Sequence, residues 1–143
     1  MLNVKLLNAG AKAPTVAHAG EDLGYDLYAA ITLIIESRSH AVVPTGIAIE
    51  CTSPDGKPMG ALVRDKSSMA ARRLVVTGGV IDAGYRGEIR VLMENLGSEA
   101  AVIHAGDKIA NLIPYPVLTG EVKVVAELSD SSRRGGGFGS SGR

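Results

Sequence analysis

GGVIDAGYRGEI, residues Gly78 to Ile89, lies between two apolar runs, LVV at 74–76 and IRVLM at 89–93. Two apolar runs joined by a glycine-punctuated polar segment form the pattern of a hairpin. Asp82 and Tyr85, with Gly84 and Gly87 beside them, therefore sit where the backbone bends. Taken alone, an acid at such a bend is a turn former that bonds its own backbone. Beyond the bend, Ile89, Val91 and Met93 alternate for part of the run with Glu88, Arg90 and Glu94, the period of a strand with one buried face.

The chain on either side reads the same way, as short strands cut by turns. Val4 to Leu7 fits an edge strand, and a small, flexible stretch leads to GYDLYAA at 24–30 and the apolar run Ile31 to Ile35. AVVP and TGIAIE give two strand pieces around Pro44 and Gly46, and SPDGKP at 53–58 is a turn. Ala61 to Val63 leads into RDKSSMAARRL. That segment alone suits a helical turn, because alanine and arginine favour one and neither proline nor glycine interrupts it. AVIHAGDKIANLIPYPV supplies two further strands around Gly106 and Asp107, and Glu121 to Leu128 reads as another. Many short strands with at most one short helix predict an all-β, jelly-roll-like sandwich or barrel. The expected division is a β domain over residues 1–128 and a flexible tail over 129–143.

Composition bounds the partners. The 143 residues make one domain, and 45% hydrophobic content makes it globular. Fifteen Lys and Arg balance fifteen Asp and Glu, so no overall field recruits nucleic acid or an anionic membrane. A single cysteine, Cys51, excludes an internal disulfide framework and makes the cytoplasm the default compartment. MLNVKLLNAGAKAP at the amino terminus lacks a signal peptide's apolar core, and no apolar run approaches a membrane span.

The tail, SDSSRRGGGFGSSGR, carries the only phenylalanine, Phe138. A linker has no use for a sole large aromatic. A tail that folds over a planar ligand does, since stacking on a base contributes roughly 1 to 3 kcal/mol. Arg133 and Arg134 offer planar donors for phosphate oxygens, and successive glycine amides can form an anion nest. Base and phosphate together mean a nucleotide.

Five stretches, in order, resemble the signature motifs of the homotrimeric dUTP diphosphatase (dUTPase) family: GYDLYAA at 24–30, KSSMA at 66–70, GVIDAGYRGEI at 79–89, GDKIANLIP at 106–114 and RRGGGFGSSG at 133–142. The resemblance implies a jelly-roll subunit, a trimer with shared sites, and Mg²⁺-assisted hydrolysis of dUTP to dUMP and diphosphate. That reaction keeps uracil out of DNA and supplies dUMP for thymidylate. It implies Asp82 as the base that activates water and Asp26 as the carboxylate that meets Mg²⁺ through water. Lys66, Ser67, Ser68 and Asn111 would hold the phosphates, and Tyr85 would pack beneath the sugar and exclude a 2′-hydroxyl. The main chain of Gly79, Val80 and Ile81 would read uracil, and Arg133, Gly137 and Phe138 would close over the substrate. Read without the resemblance, Ser67 is a helix N-cap, Asp26 a turn residue before a strand and Tyr85 a cross-strand aromatic.

The chain departs from the family pattern in places. Lys66 stands where Arg is usual, with Arg64 two residues earlier, and Asn111 stands where Gln is usual, a methylene shorter. Arg134 fills a place that is normally Gly. The stretch from Ser67 to Asp82 is shorter than in the best-known members, and Leu74 to Thr77 offers no side-chain amide to a base. Two other readings stand beside the first. SSMAAR at 67–72 is similar to dCTP deaminases, but the place of their deaminating glutamate is Leu92, with Glu94 two residues on. A non-catalytic nucleotide-binding regulator is the third.

Overall fold

A computed structural model of the chain describes residues 1–131. Eleven strands and one short helix follow in order: β1 (Leu2–Leu6), β2 (Tyr25–Tyr28), β3 (Leu33–Ile35), β4 (His40–Pro44), β5 (Ile47–Thr52), β6 (Pro58–Asp65), α1 (Ser67–Ala71), β7 (Leu74–Thr77), β8 (Val80–Ile81), β9 (Arg90–Asn95), β10 (Ala101–Ile103) and β11 (Lys108–Pro116). The largest sheet runs β1-β5-β6-β11-β2, with β8 also paired to β6; β4-β9-β7 and β10-β3 form the others. All of the pairings are antiparallel. This is the all-β architecture of short strands and one helix that the sequence predicts. No helix among the described residues is long and apolar enough to cross a membrane.

One apolar core joins the sheets. Leu27, Ile35, Val43, Ile47, Leu74, Ile89, Val91, Met93, Ile103, Ile109 and Leu112 are all buried within it. The period-two pattern of β9 holds: Ile89, Val91 and Met93 point inward, while Arg90 and Leu92 are exposed. Among the buried polar groups beside the core is a junction that sequence reading does not single out. Asn95, at the end of β9, donates from Nδ2 to the carbonyls of Ile35 (2.9 Å) and Glu99 (2.8 Å) and accepts from the Gly97 amide (2.9 Å). Asn95→Leu keeps the size but strands three backbone groups. It is expected to cost about 3 kcal/mol and to lower the melting temperature by about 10 °C, measurable by scanning calorimetry.

The predicted hairpin is real but divided. β7 pairs with β9, from Leu74 opposite Asn95 to Thr77 opposite Leu92. The connection between them crosses to the other sheet, where β8 lies against β6, with Ala61 opposite Ile81 and Leu62 opposite Val80. Gly79 permits that crossing, because a Cβ there would stand 2.1 Å from the Val63 carbonyl oxygen.

The strand expected over Glu121 to Leu128 does not form. Residues 117–131 have no strand assignment, and Val122 and Leu128 are 93% and 88% exposed. An alternating pattern becomes a strand only against a partner edge, and among the described residues none is opposite this stretch.

Candidate functional site

The bend at Asp82 is closed by main chain. The Tyr85 amide donates to the Asp82 carbonyl (3.0 Å), and Arg86 Nη1 donates to the carbonyls of Ala83 (2.7 Å) and Tyr85 (3.0 Å). The Asp82 side chain is exposed, and no hydrogen bond or ion pair engages its carboxylate among the described residues. The turn-former reading is thereby corrected, because the backbone closes the turn without the acid. Asp82 instead lines a groove of about 430 Å³ with Val80, Ile81, Tyr115 and Leu118.

Tyr85 is half exposed in the loop rather than in a strand, so it is not a cross-strand aromatic. Its hydroxyl donates to the Glu88 carbonyl (3.1 Å). Its ring lies on Gly87, where a Cβ would stand 2.4 Å from the hydroxyl oxygen. Any side chain at 87 would push the ring away. Gly79, Val80 and Ile81 pair on one edge with β6.

The second cluster gathers where β2, β11 and the start of α1 meet. Asp26 on β2 is 14% exposed, and Lys66 Nζ lies 2.8 Å from its Oδ1 while Lys108 Nζ lies 2.8 Å from its Oδ2. Asn111 is directly opposite Asp26 on β11 and Arg64 is opposite Asn111 on β6. Asn111 Nδ2 also reaches the Asp65 carbonyl (3.4 Å). Asp26, Lys66, Lys108 and Asn111 line a cleft of about 530 Å³ whose far wall is the segment from Thr15 to His18 with Asp22 to Gly24. Thr15 holds that wall in place, exchanging backbone hydrogen bonds with Asp26 (2.7 and 3.3 Å). The wall's own bend is tied by Asp22, which accepts from the amides of Ala17 and His18.

Ser67 is the first residue of α1 and not its cap. Lys66 takes the N-cap position, with no side-chain capping bond. Ser67 and Ser68 are both exposed there. Arg133, Gly137 and Phe138 lie outside the described residues. Among the described residues the Asp82 groove and the Asp26 cleft share no lining residue, so the two candidate acids lie in separate pockets there. Leu92 is exposed on β9 opposite Val42. Glu94 lines a different cavity from Asp82, with Arg38 and His40.

Electrostatics act strongly on Asp26, within its cleft. Burial alone pushes its carboxyl upward, but hydrogen bonds from Lys108 and Lys66 and the charges of both outweigh it and hold it below the usual aspartate range. A carboxyl depressed in the native state contributes stability that is present above its unfolded value and lost as pH falls through its native value. Asp26→Asn is therefore expected to lower the melting temperature near neutral pH. The gap from wild type should close below about pH 4, and melting curves across that range check it.

Short antiparallel strands around one core, with a lysine-flanked carboxylate in a surface cleft and, on a bent ribbon, an acid without a partner among the described residues, define an all-β protein with two candidate acidic sites. The comparisons with known proteins narrow this. The family model described as dUTPase matches residues 10–142. The deoxyuridine 5'-triphosphate nucleotidohydrolase of Clostridium tetani is 39% identical over 145 residues, covering 99% of this chain and 97% of its own. A solved structure of a Staphylococcus bacteriophage 80alpha dUTPase mutant with dUpNHpp superposes with a TM-score of 0.91 at 29% identity, covering 100% of this chain and 99% of that one. A mutant dUTPase from phage phi11 of S. aureus, whose structure concerns the coordination of a structural Mg(II) ion, gives a TM-score of 0.81 at 27% identity over 91% of this chain and 99% of that one. The chain belongs to the dUTPase family.

Proposed function

We propose that the chain hydrolyses dUTP to dUMP and diphosphate, with Asp82 as the general base. The observation that carries this reading is the carboxylate of Asp82, without a partner among the described residues, on a bend that does not need it. Asp82 takes a proton from a water, the water oxygen bonds to the α-phosphorus in line with the leaving group, and the bond to the bridging oxygen breaks, releasing diphosphate. Lys66, Ser67, Ser68 and Asn111 hold the phosphates and offset charge developing on the leaving group. Tyr85, steadied on Gly87, packs beneath the deoxyribose. The open edge of β8 presents main-chain groups of Gly79, Val80 and Ile81 to uracil. Such a site leaves its polar groups unpaired against cytosine, a mismatch that can discriminate by about 10⁴. Hydrolysing dUTP limits uracil in DNA and yields the dUMP from which thymidylate is made.

Among the described residues no group of three or more His, Cys, Asp or Glu could cage a metal. Mg²⁺ suits that donor set, because it keeps several waters and binds through substrate phosphates with one or two carboxylates. Asp26 is the carboxylate we assign to it, through water. When bound, Mg²⁺ neutralises phosphate charge and aids departure of diphosphate.

The acting unit we propose is a homotrimer in which the Asp82 ribbon of one copy meets the Asp26 cleft of another. Two observations support it. The two clefts share no lining among the described residues of one chain, and apolar cross-strand pairs, Ile34 with Val102 and Val42 with Leu92, stand exposed outside the core, as surfaces awaiting a partner do. Residues 1–128 form the β domain and 129–143 a tail, with Arg133, Gly137 and Phe138, that closes over the nucleotide. The unpaired Cys51 is in keeping with the cytoplasm.

Assays of dUTP and dCTP with Mg²⁺ test the reading. Diphosphate from dUTP alone supports it, ammonia from dCTP would replace it with deamination, and tight binding without turnover would make the chain a nucleotide sensor. Light scattering after size exclusion reads the assembly.

A further inference from the structure

Lys108 is a cleft residue that reading the sequence passed over, and a fault in the strand ladder puts it there. On β2 and β11, Asn111 is opposite Asp26 and Ala110 is opposite Leu27, but the next pair is Lys108 with Tyr28, so that one residue of β11 is skipped. In a regular ladder Ile109 would face Tyr28, on the side that carries Asp26 and Asn111, and Lys108 would fall on the other side. With the bulge, Ile109 and Ala110 are both fully buried while Lys108 reaches Asp26. Bulges recur beside sites where one side chain must be re-aimed. This one delivers a second ammonium to a carboxylate that already has Lys66.

The two lysines are not equivalent. Lys108 is part of the strand directly paired to that of Asp26, whereas Lys66 sits in the one-residue joint between β6 and α1, where the backbone has no ladder partner to fix it. Each occupies a different oxygen of Asp26, so one can leave while the other stays.

We propose that Lys108 is a positioning residue for the nucleotide–metal complex: it holds the Asp26 carboxylate turned into the cleft through Oδ2, which lets Lys66 give up Oδ1 and move to the phosphates. Oδ1 is then free to accept a hydrogen bond from a water on the metal. This inference rests on the function proposed above.

Calorimetric titration of the full chain with the imido analogue dUpNHpp, once with Mg²⁺ and once with EDTA, tests it. Lys108→Gln is expected to lose roughly tenfold in affinity with Mg²⁺, the scale of losing a group that orients a metal's ligand, and to change little in EDTA. Lys108→Arg restores most of the loss. In an Asp26→Asn background, Lys108→Gln adds nothing further. Lys108 is 47% exposed, so the variant is expected to melt within about 2 °C of wild type. Equal losses with and without Mg²⁺, or losses that add to those of Asp26→Asn, would mean that Lys108 touches phosphate itself and would overturn the positioning role. Unchanged affinity in Lys108→Gln would overturn it too. A wild-type chain that fails to bind dUpNHpp would remove the functional reading and this inference together, an outcome distinct from the others.

Discussion

Asp82→Asn is expected to lower kcat for dUTP by about 10² to 10⁴, the usual contribution of a positioned base, with dUpNHpp affinity and melting temperature near wild type. The amide keeps the size and polarity of the acid but cannot take a proton from water. Folding does not depend on the group, because the Tyr85 amide closes the bend onto the Asp82 carbonyl and the carboxylate has no partner among the described residues. The other acid of the segment cannot easily stand in. Glu88 accepts from the Gly46 amide through Oε1 (2.9 Å) and from Arg90 Nε through Oε2 (2.8 Å), so both of its oxygens are already engaged. Single-turnover kinetics beside calorimetric binding would check the split. Unchanged turnover would return Asp82 to the role of a surface acid.

Much of this was legible in the chain because the signals were local. The period of two in residues 89–93, the turn chemistry of 53–58 and the short alanine-rich helix need only neighbouring residues to be read, and each formed where expected. What escaped was set by partners distant in the chain. The run from Gly78 to Ile89 reads as one hairpin, yet pairing with β6 draws its first part to a second sheet, and the close approach to Val63, whose carbonyl oxygen a Cβ at 79 would meet at 2.1 Å, explains why glycine is needed there. Glu121 to Leu128 has a strand's pattern without a strand's partner. Lys108 escaped because strict alternation assigns it to the wrong face. The clue was present, since Ile109 and Ala110 are adjacent apolar residues in a strand, and two inward neighbours in succession mark a bulge. Asp26 was legible as a candidate site residue, but its clamp was not, because Lys66 is 40 residues away in the chain.

Ending the chain after Ser132 is expected to remove most turnover while leaving the fold almost untouched. Among the described residues the buried core draws on none beyond Leu112, so the described domain has a complete apolar core without Arg133 to Arg143. What it takes away, on our reading, acts only on substrate. A ring stacked on a base contributes about 1 to 3 kcal/mol, and a charge-assisted hydrogen bond from Arg133 to phosphate about 1.5 to 3 kcal/mol. Together these correspond to a loss of roughly 10² to 10⁴ in kcat/KM at 1.4 kcal/mol per decade. Phe138→Ala alone should leave about a tenth to a hundredth of wild-type kcat/KM through loss of the stacking contribution, with no change in melting temperature. A truncated chain that loses stability in step with activity would show instead that the tail helps to hold the assembly together, and would move Phe138 from the substrate to the protein.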